Sequence, residues 1–270
     1  MNSTKKQLEL IESNKAFVIA TVIEAKGSTP AKSGFKIIVD SIGNTVGTVG
    51  GGAIEFEVIE QCKKLLINGN NEFKKYLLSD EDNVKDKDVK VVPMMCKGTL
   101  TIFYEVYNMK PEVYIFGGGH VGQALLKILP NLGYHIKLID NRKEFCNAEI
   151  APGADEYNCV DYVDYVENFN PNDNSYLISL THGHSYDYEI LNRIYLQNLK
   201  VKYIGVIASK SKGKQLKEKL LEDVNADLDF SNLHTPIGLK IGGNSADEIA
   251  LSIAAELQSV RYSKKVIIES

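Results

Sequence analysis

The sequence predicts an α/β fold in which a C-terminal parallel sheet carries helices on both faces, preceded by an α+β domain. Three observations support this prediction. A glycine-rich turn at 117–122 joins an apolar strand to an amphipathic helix. Strand-like and helix-like segments then alternate, as in folds built from β-α-β units. The N-terminal part instead contains several consecutive strand-like segments.

The N-terminal pattern predicts a short helix, three strands, a longer helix and a further strand. The expected ranges are helix 4–13 after an N-cap at Ser3, strands 16–24, 35–39 and 45–49, helix 53–67 and strand 99–107. Gly43 lies in a hairpin turn signal, and Gly69 is placed to end the longer helix. The polar stretch 79–90 has no apolar periodicity and is expected to be an exposed connection.

The C-terminal pattern alternates between short apolar runs and amphipathic segments. Strands are expected at 113–116, 135–140, 176–180 and 203–207, and helices after Gly119, at 186–198, at 212–222 and after an N-cap at Ser245. Pro111 follows a strand and precedes the glycine-rich turn, so the domain boundary is expected there. The predicted domains are therefore residues 1–108 and 109–270.

The turn at 117–122 has the spacing G-x-G-x-x-G, which predicts a site for a nucleotide-like ligand. Gly117 would allow a tight turn, Gly119 a close approach to a pyrophosphate, and Gly122 close packing of helix on strand. Asp140 ends the next strand and is placed to bind ribose hydroxyls, which disfavours NADP, although Arg142 would soften that preference. The alternative is a glycine-rich turn that only packs.

Three N-terminal segments carry other groups of interest. Gly50, Gly51 and Gly52 precede a helix and would hold an oxyanion or phosphate, or else pack closely against another chain segment. The turn 27–30 offers the hydroxyls of Ser28 and Thr29. Cys96 lies next to a lysine and is either a reactive thiol or a buried one.

Two further segments follow C-terminal strands, where ligands bind in open α/β sheets. His184 and Asp187 are spaced i, i+3, so they would share a ligand, or His184 would take a proton while Asp187 orients it. Ser209 lies in a segment with Lys210 and Lys212 that suits an anionic ligand or a solvated surface. No metal site is expected, because the four cysteines form no C-x-x-C pair.

Composition excludes several classes of function. The formal net charge of −4 gives no indication of binding to nucleic acid or to an anionic membrane. No apolar run approaches the roughly 18 residues of a membrane-spanning helix, and the first residues contain no apolar signal core. A cytoplasmic protein is therefore expected.

Taken together and in this order, the motifs resemble the xanthine dehydrogenase accessory (XdhC/CoxI) family over nearly the whole chain. The resemblance is carried by 27–30, 50–52 with Glu55, 96–98, 116–122, 140–142, 181–184 with Asp187, 203–205, 234–239, 241–242 and 248–256. Lys97 and Ala208 stand where the family commonly has glycine.

The resemblance implies a chaperone that matures molybdenum hydroxylases. Such a protein would bind the molybdenum cofactor, as molybdopterin or its dinucleotide, support its sulfuration with a cysteine desulfurase, and deliver it to a xanthine dehydrogenase-type enzyme. The implied form is a homodimer, with a C-terminal Rossmann domain. Cys96, His184 and Asp187 would lie around a cleft between domains. The residues expected to bind the cofactor are Gly117, Gly119, His120, Gly122, Asp140, Arg142, Ser209, Ser28, Thr29, Gly50, Gly51, Gly52 and Glu55.

Two alternatives remain open from the residues alone. One is an NAD(H)-dependent oxidoreductase that uses the same glycine turn, with His184 as proton donor. The other is a nucleotide-binding regulator without chemistry. Because the sequence shows no convincing catalytic triad or metal cluster, binding is favoured over turnover.

Overall fold

The computed structural model describes residues 3–79 and 89–264 of the chain. The chain divides into two compact units, Met1–Met109 and Lys110–Ser270. Each unit is built around one six-stranded sheet. Within the described residues, no helix combines the length and the apolar character required to cross a bilayer.

The first unit is an α+β structure. Its helices are α1 (Ser3–Glu12) and α2 (Gly52–Asn68), and its strands are β1 (Phe17–Gly27), β2 (Lys36–Asp40), β3 (Thr45–Gly47), β4 (Glu72–Leu78), β5 (Val89–Val92) and β6 (Gly98–Tyr107). The sheet order is β3-β2-β1-β6-β4-β5; among these described strands the β4–β5 pair is parallel and the other pairs are antiparallel. The buried face of α2, with Ile54, Val58 and Cys62, packs on this sheet.

The expected helix before Gly69 is confirmed, including its end. Gly69 adopts φ 72°, and its N–H donates to the Leu65 carbonyl, so the glycine closes α2 in the left-handed conformation. Other expectations for this unit were wrong. Ser3 is the first residue of α1 rather than its N-cap, and Val89 begins β5 rather than continuing an exposed connection. The rest of that stretch, 80–88, lies outside the described residues.

The second unit alternates strands and helices. Its elements are β7 (Glu112–Phe116), α3 (His120–Ile128), β8 (His135–Ile139), β9 (Glu156–Asn158), α4 (Tyr162–Glu167), β10 (Tyr176–Ser179), α5 (His184–Leu196), β11 (Tyr203–Val206), α6 (Lys210–Asp223), β12 (Leu233–His234) and α7 (Ala246–Arg261). All six strands are parallel, in the order β12-β11-β10-β7-β8-β9. The predicted Rossmann-like sheet is thereby confirmed.

Helices cover both faces of this sheet. One core contains side chains of α3 and α7, such as Leu125 and Ile253, and the other contains side chains of α4, α5 and α6, such as Val166, Leu191 and Leu220. The direction in which strands are added reverses between β7 and β10. In open parallel sheets, the crevice outside the carboxyl ends of the strands at such a switch point binds ligands.

Candidate functional site

Packing requires glycine at three positions of the turn between β7 and α3. A Cβ atom at Gly117 would lie 2.5 Å from the Leu180 carbonyl oxygen, and one at Gly118 would lie 2.3 Å from that of Phe145. At Gly122 it would lie 2.2 Å from the oxygen of Gly117. Gly117 also has φ 117°, which L side chains rarely adopt. Glycine at these three positions therefore allows the turn to pack closely against neighbouring backbone carbonyl groups.

Gly119 is different, because nothing in the described chain requires a glycine there. A Cβ atom at this position would meet no heavy atom within 4 Å, and its φ of −70° suits any residue. Gly119 is the N-cap of α3, and no side chain caps this end. The first turn of α3, which begins at the exposed His120, thus presents N–H groups and a positive dipole end to open space. An anion can approach here.

Asp140 is fully buried and ties this turn to the segment after β8. Its Oδ2 accepts hydrogen bonds from the Gly118 N–H at 2.7 Å and from Arg142 Nη2 at 2.8 Å. Its Oδ1 accepts from the backbone N–H and from Nε of Arg142, both at 2.9 Å. Burial acts to raise the pKa of Asp140, but the hydrogen bonds from Arg142 and Gly118 outweigh it and lower the pKa.

Both carboxylate oxygens of Asp140 therefore already have two donors. The Arg142 guanidinium also lies over the Phe145 ring, 4.1 Å from its centroid. A ribose could bind Asp140 only if the Arg142 side chain moved away. Ribose binding by Asp140 therefore stays a prediction, and it requires this movement. A carboxylate neutralised by arginine is also a weaker barrier to a second phosphate group.

Three buried polar atoms near Asp140 have no hydrogen-bond partner among the described residues. They are Asn141 Oδ1, Asn158 Nδ2 and the Tyr162 hydroxyl. Asn141 follows β8, Asn158 is the last residue of β9 and Tyr162 is the first residue of α4, so all three lie at the carboxyl edge of the sheet. Since buried polar atoms nearly always have a partner, a ligand or water would supply it here. Asn158 and Tyr162 were not predicted from the sequence, because β9 and α4 are too short for a clear period.

The turn after β10 is braced by Asp187, which is buried in the first turn of α5. Its Oδ1 accepts from Ser179 Oγ at 2.6 Å and from Thr181 Oγ1 at 2.7 Å. His184 is the first residue of α5, but its side chain lies outside what the structure describes. The proposed pairing of His184 with Asp187 therefore stays a prediction. Ser209 caps α6, and its Oγ accepts from the Lys212 N–H at 3.3 Å.

The N-terminal motifs, separate in sequence, meet at one end of the first sheet. Gly27 pairs with Gly98 across β1 and β6, and the Ser28 N–H donates to the Lys97 carbonyl at 2.9 Å. A Cβ atom at Gly50 would lie 3.0 Å from Pro30. The segments 27–31, 48–55 and 94–98, which include the half-buried Cys96, therefore form one cluster. Within it, Thr29 Oγ1 donates to the Ala31 carbonyl at 2.8 Å.

The N–H donors of this cluster are turned toward Glu55. Its Oε2 accepts from the Val49 N–H at 3.0 Å, from the Gly51 N–H at 3.3 Å and from the Thr48 hydroxyl. Gly50, Gly51 and Gly52 all have positive φ, at 114°, 72° and 63°. The N–H groups of Val49 and Gly51 converge on Glu55 Oε2, whereas the Gly50 N–H between them donates to Thr48 Oγ1 at 3.1 Å, so the loop forms a small backbone nest of the kind that binds anions. In this structure the anion is the chain's own carboxylate.

Comparisons with known proteins agree with this architecture. Residues 113–257 match the XdhC Rossmann domain, and residues 10–77 match the XdhC and CoxI family. The chain is 29% identical to YqeB of Escherichia coli K12 over 97% of its length. It is 27% identical to a probable xanthine dehydrogenase component of Bacillus subtilis 168 over 63% of its length. It spans about half the length of these relatives, 46% and 48% respectively.

A solved structure shares the fold of both units. The crystal structure of a Bacillus halodurans xanthine dehydrogenase aligns over 98% of this chain and 97% of that chain, with a TM-score of 0.52 and 21% identity. Since the Rossmann domain model alone matches more than half of the sequence, the chain belongs to the XdhC and CoxI family and carries its XdhC Rossmann domain.

Proposed function

We propose that this chain is an accessory protein for a xanthine dehydrogenase-type molybdenum hydroxylase, and that it binds the molybdenum cofactor before insertion. The observation that carries the proposal is the open approach to α3 at Gly119, together with family membership. Molybdopterin carries a phosphate, and its dinucleotide form carries a pyrophosphate. Either anion suits an uncapped helix N-terminus beside a residue without a side chain.

The unpartnered atoms at the carboxyl ends of β8 and β9 favour the dinucleotide form. Asn141 and Asn158 each bring one buried amide atom that lacks a partner among the described residues, and Tyr162 brings its hydroxyl. In Rossmann folds the nucleoside of a dinucleotide lies at this side of the glycine turn. A ligand with a ribose and a base would supply these hydrogen bonds, whereas a single phosphate would not.

The cluster around Cys96 supports a role in sulfuration. Its thiol is half-buried, and its segment belongs to the same cluster as the loop whose N–H groups bind Glu55. We assign Cys96 to contact with the cofactor or its sulfur, with a cysteine desulfurase as the second partner. We further propose that the protein is a cytoplasmic homodimer.

An NAD(H)-dependent oxidoreductase is the second candidate. The strand order β12-β11-β10-β7-β8-β9 is that of dinucleotide-binding proteins and would serve NADH equally well. The two candidates differ in the ligand that the glycine turn retains.

Native mass spectrometry of the full chain, co-expressed with the cofactor-synthesis enzymes, tests the proposal. We expect the wild type to carry the mass of the cofactor and Gly119→Asp to lose it. Position 119 has space for a side chain, so the aspartate repels the anion without disturbing the fold. A bound NADH mass would support the oxidoreductase instead. Equal cofactor retention by the wild type and by Gly119→Asp would show that the glycine turn does not bind the cofactor.

A further inference from the structure

A second group of polar side chains lies at the carboxyl end of β12, where Glu256 of α7 holds His234. His234 Nδ1 lies 3.1 Å from Glu256 Oε1, while Oε2 accepts from the Tyr203 hydroxyl at 2.5 Å and from the Gly238 N–H at 2.8 Å. Burial acts against ionisation of Glu256, but the hydrogen bonds from His234, Tyr203 and Gly238 outweigh it and lower its pKa.

This arrangement fixes the tautomer of His234. An ionised carboxylate only accepts hydrogen bonds, so Nδ1 must carry the hydrogen that it donates to Glu256. In the neutral ring, Nε2 then has the free lone pair. Nε2 has no partner among residues 3–79 and 89–264, and the ring packs on Tyr203 with centroids 4.5 Å apart. The His234 side chain remains 31% exposed.

The ring lines an open cavity of about 590 Å³, which two lysines, Lys210 and Lys240, also line. Both lysines are exposed, and neither forms an ion pair within the described part of the chain. Lys210 is also the first residue of α6, whose N-terminus adds a positive dipole end. Thr235, on the same surface, has a buried hydroxyl without a hydrogen bond to any described residue.

Among the lining residues, one carboxylate, Glu256, stands against two lysines, so positive charge is in excess. Glu256 is only 12% exposed and already accepts from three donors. An incoming anion therefore meets two cations, a helix N-terminus and an imidazole. These are the groups that bind phosphate in proteins.

We propose that this surface is a second anion site, which binds a phosphate monoester through Lys210, Lys240 and His234. The lysines neutralise the charge of the ester. When the ester is a monoanion, its P–OH donates to the Nε2 lone pair; when it is a dianion, Nε2 takes up a proton and donates to an ester oxygen. Glu256 is a positioning residue, since it orients the ring without touching the ligand.

This site is separate from the glycine turn. β12 lies at the edge of the sheet, three strand positions from β7, which corresponds to about 14 Å at the usual strand spacing. One phosphate group therefore cannot contact both places. Loss of phosphate binding at this surface would therefore leave ligand binding at the glycine turn unaffected, and the reverse holds as well.

Titration of the full chain with sodium phosphate, observed by NMR of ¹³C-labelled histidine, tests the site. The sequence contains five histidines, and His234→Asn identifies the signal of His234 by its loss. Asparagine keeps a donor for Glu256, so this variant retains the buried contact. We expect a saturable shift of the His234 signal in the wild type. In Lys210→Met/Lys240→Met, Kd should rise about tenfold or more, as expected when charge-assisted hydrogen bonds are lost.

Two control variants separate the site from general charge effects. Lys64→Met removes an exposed lysine of the first unit and should leave Kd unchanged. Gly119→Asp should also leave it unchanged, because the glycine turn is distant. An unmoved His234 signal, or an equal Kd in the double lysine variant, would overturn the proposal. Sodium acetate should bind more weakly; an equal response to acetate would contradict the assignment to phosphate.

Discussion

Gly119 caps α3 and Gly122 lies in its first turn, yet only Gly122 is required by packing. A Cβ atom at Gly122 would lie 2.2 Å from a backbone oxygen, whereas one at Gly119 would meet nothing within 4 Å. Glycine at position 122 is therefore required by the fold, whereas glycine at position 119 leaves room for a ligand. A comparison of matched alanine variants makes this separation measurable.

Gly122→Ala should lower the free energy of unfolding by about 2–4 kcal/mol, because the added methyl collides with the Gly117 carbonyl. Gly119→Ala should lower it by about 1 kcal/mol or less, the usual cost of alanine at an N-cap. Urea unfolding followed by circular dichroism measures both values. If the two variants proved equally destabilised, Gly119 would have a structural role that the packing does not show.

Asp140→Asn should lower the free energy of unfolding at neutral pH by about 3 kcal/mol, since it leaves Arg142 without its charged partner. The pKa of Asp140 is lowered in the folded protein by Arg142 and Gly118, against the effect of burial. Its contribution is therefore complete above the unfolded value of about 3.9 and is lost as the pH falls through the folded value.

The difference in stability between wild type and Asp140→Asn should accordingly shrink as the pH is lowered below about 4. Urea unfolding of both proteins at pH 7, 5, 4 and 3 provides the measurement. A difference that stayed constant over this range would mean that the ionisation of Asp140 contributes nothing, and that the cost comes from replacing an acceptor oxygen by an amide donor.

Cys96→Ser should reduce activation of the partner hydroxylase while leaving stability nearly unchanged, because Cys96 is only half-buried. Cys62→Ser provides a contrast. Cys62 is fully buried in α2, and burial raises its thiol pKa to about 12, so its replacement should affect stability but not chemistry. Reconstitution of the apo-hydroxylase with each variant measures activation. Full activation by Cys96→Ser would show that this thiol is structural.

Local patterns were sufficient to predict several elements. The Ser245 cap of α7 is confirmed as a capping box with Glu248, and the glycine turn joins β7 to α3 as expected. Each of these features is encoded within a few neighbouring residues. The short elements β9, α4 and β12 escaped prediction because the longest has six residues, too few to establish a period.

The contacts that give the sites their chemistry could not be predicted in this way. Arg142 is close to Asp140 in sequence, but its bidentate grip depends on the shape of the turn. Glu256 and His234 are 22 residues apart, and their contact depends on how α7 packs beside β12. Motif spacing identifies such residues, whereas tertiary packing decides which of their polar atoms are left free to bind a ligand.

The carboxylate of Glu55 also has a consequence for selectivity. Because it is tethered beside the donors of Val49 and Gly51, it competes with any incoming anion at an effective concentration of about a millimolar or more. Free phosphate can form hydrogen bonds only with these donors, so it displaces the tethered carboxylate poorly. A larger ligand with additional contacts elsewhere can displace it. The loop would therefore discriminate by ligand size, although its donors recognise charge alone.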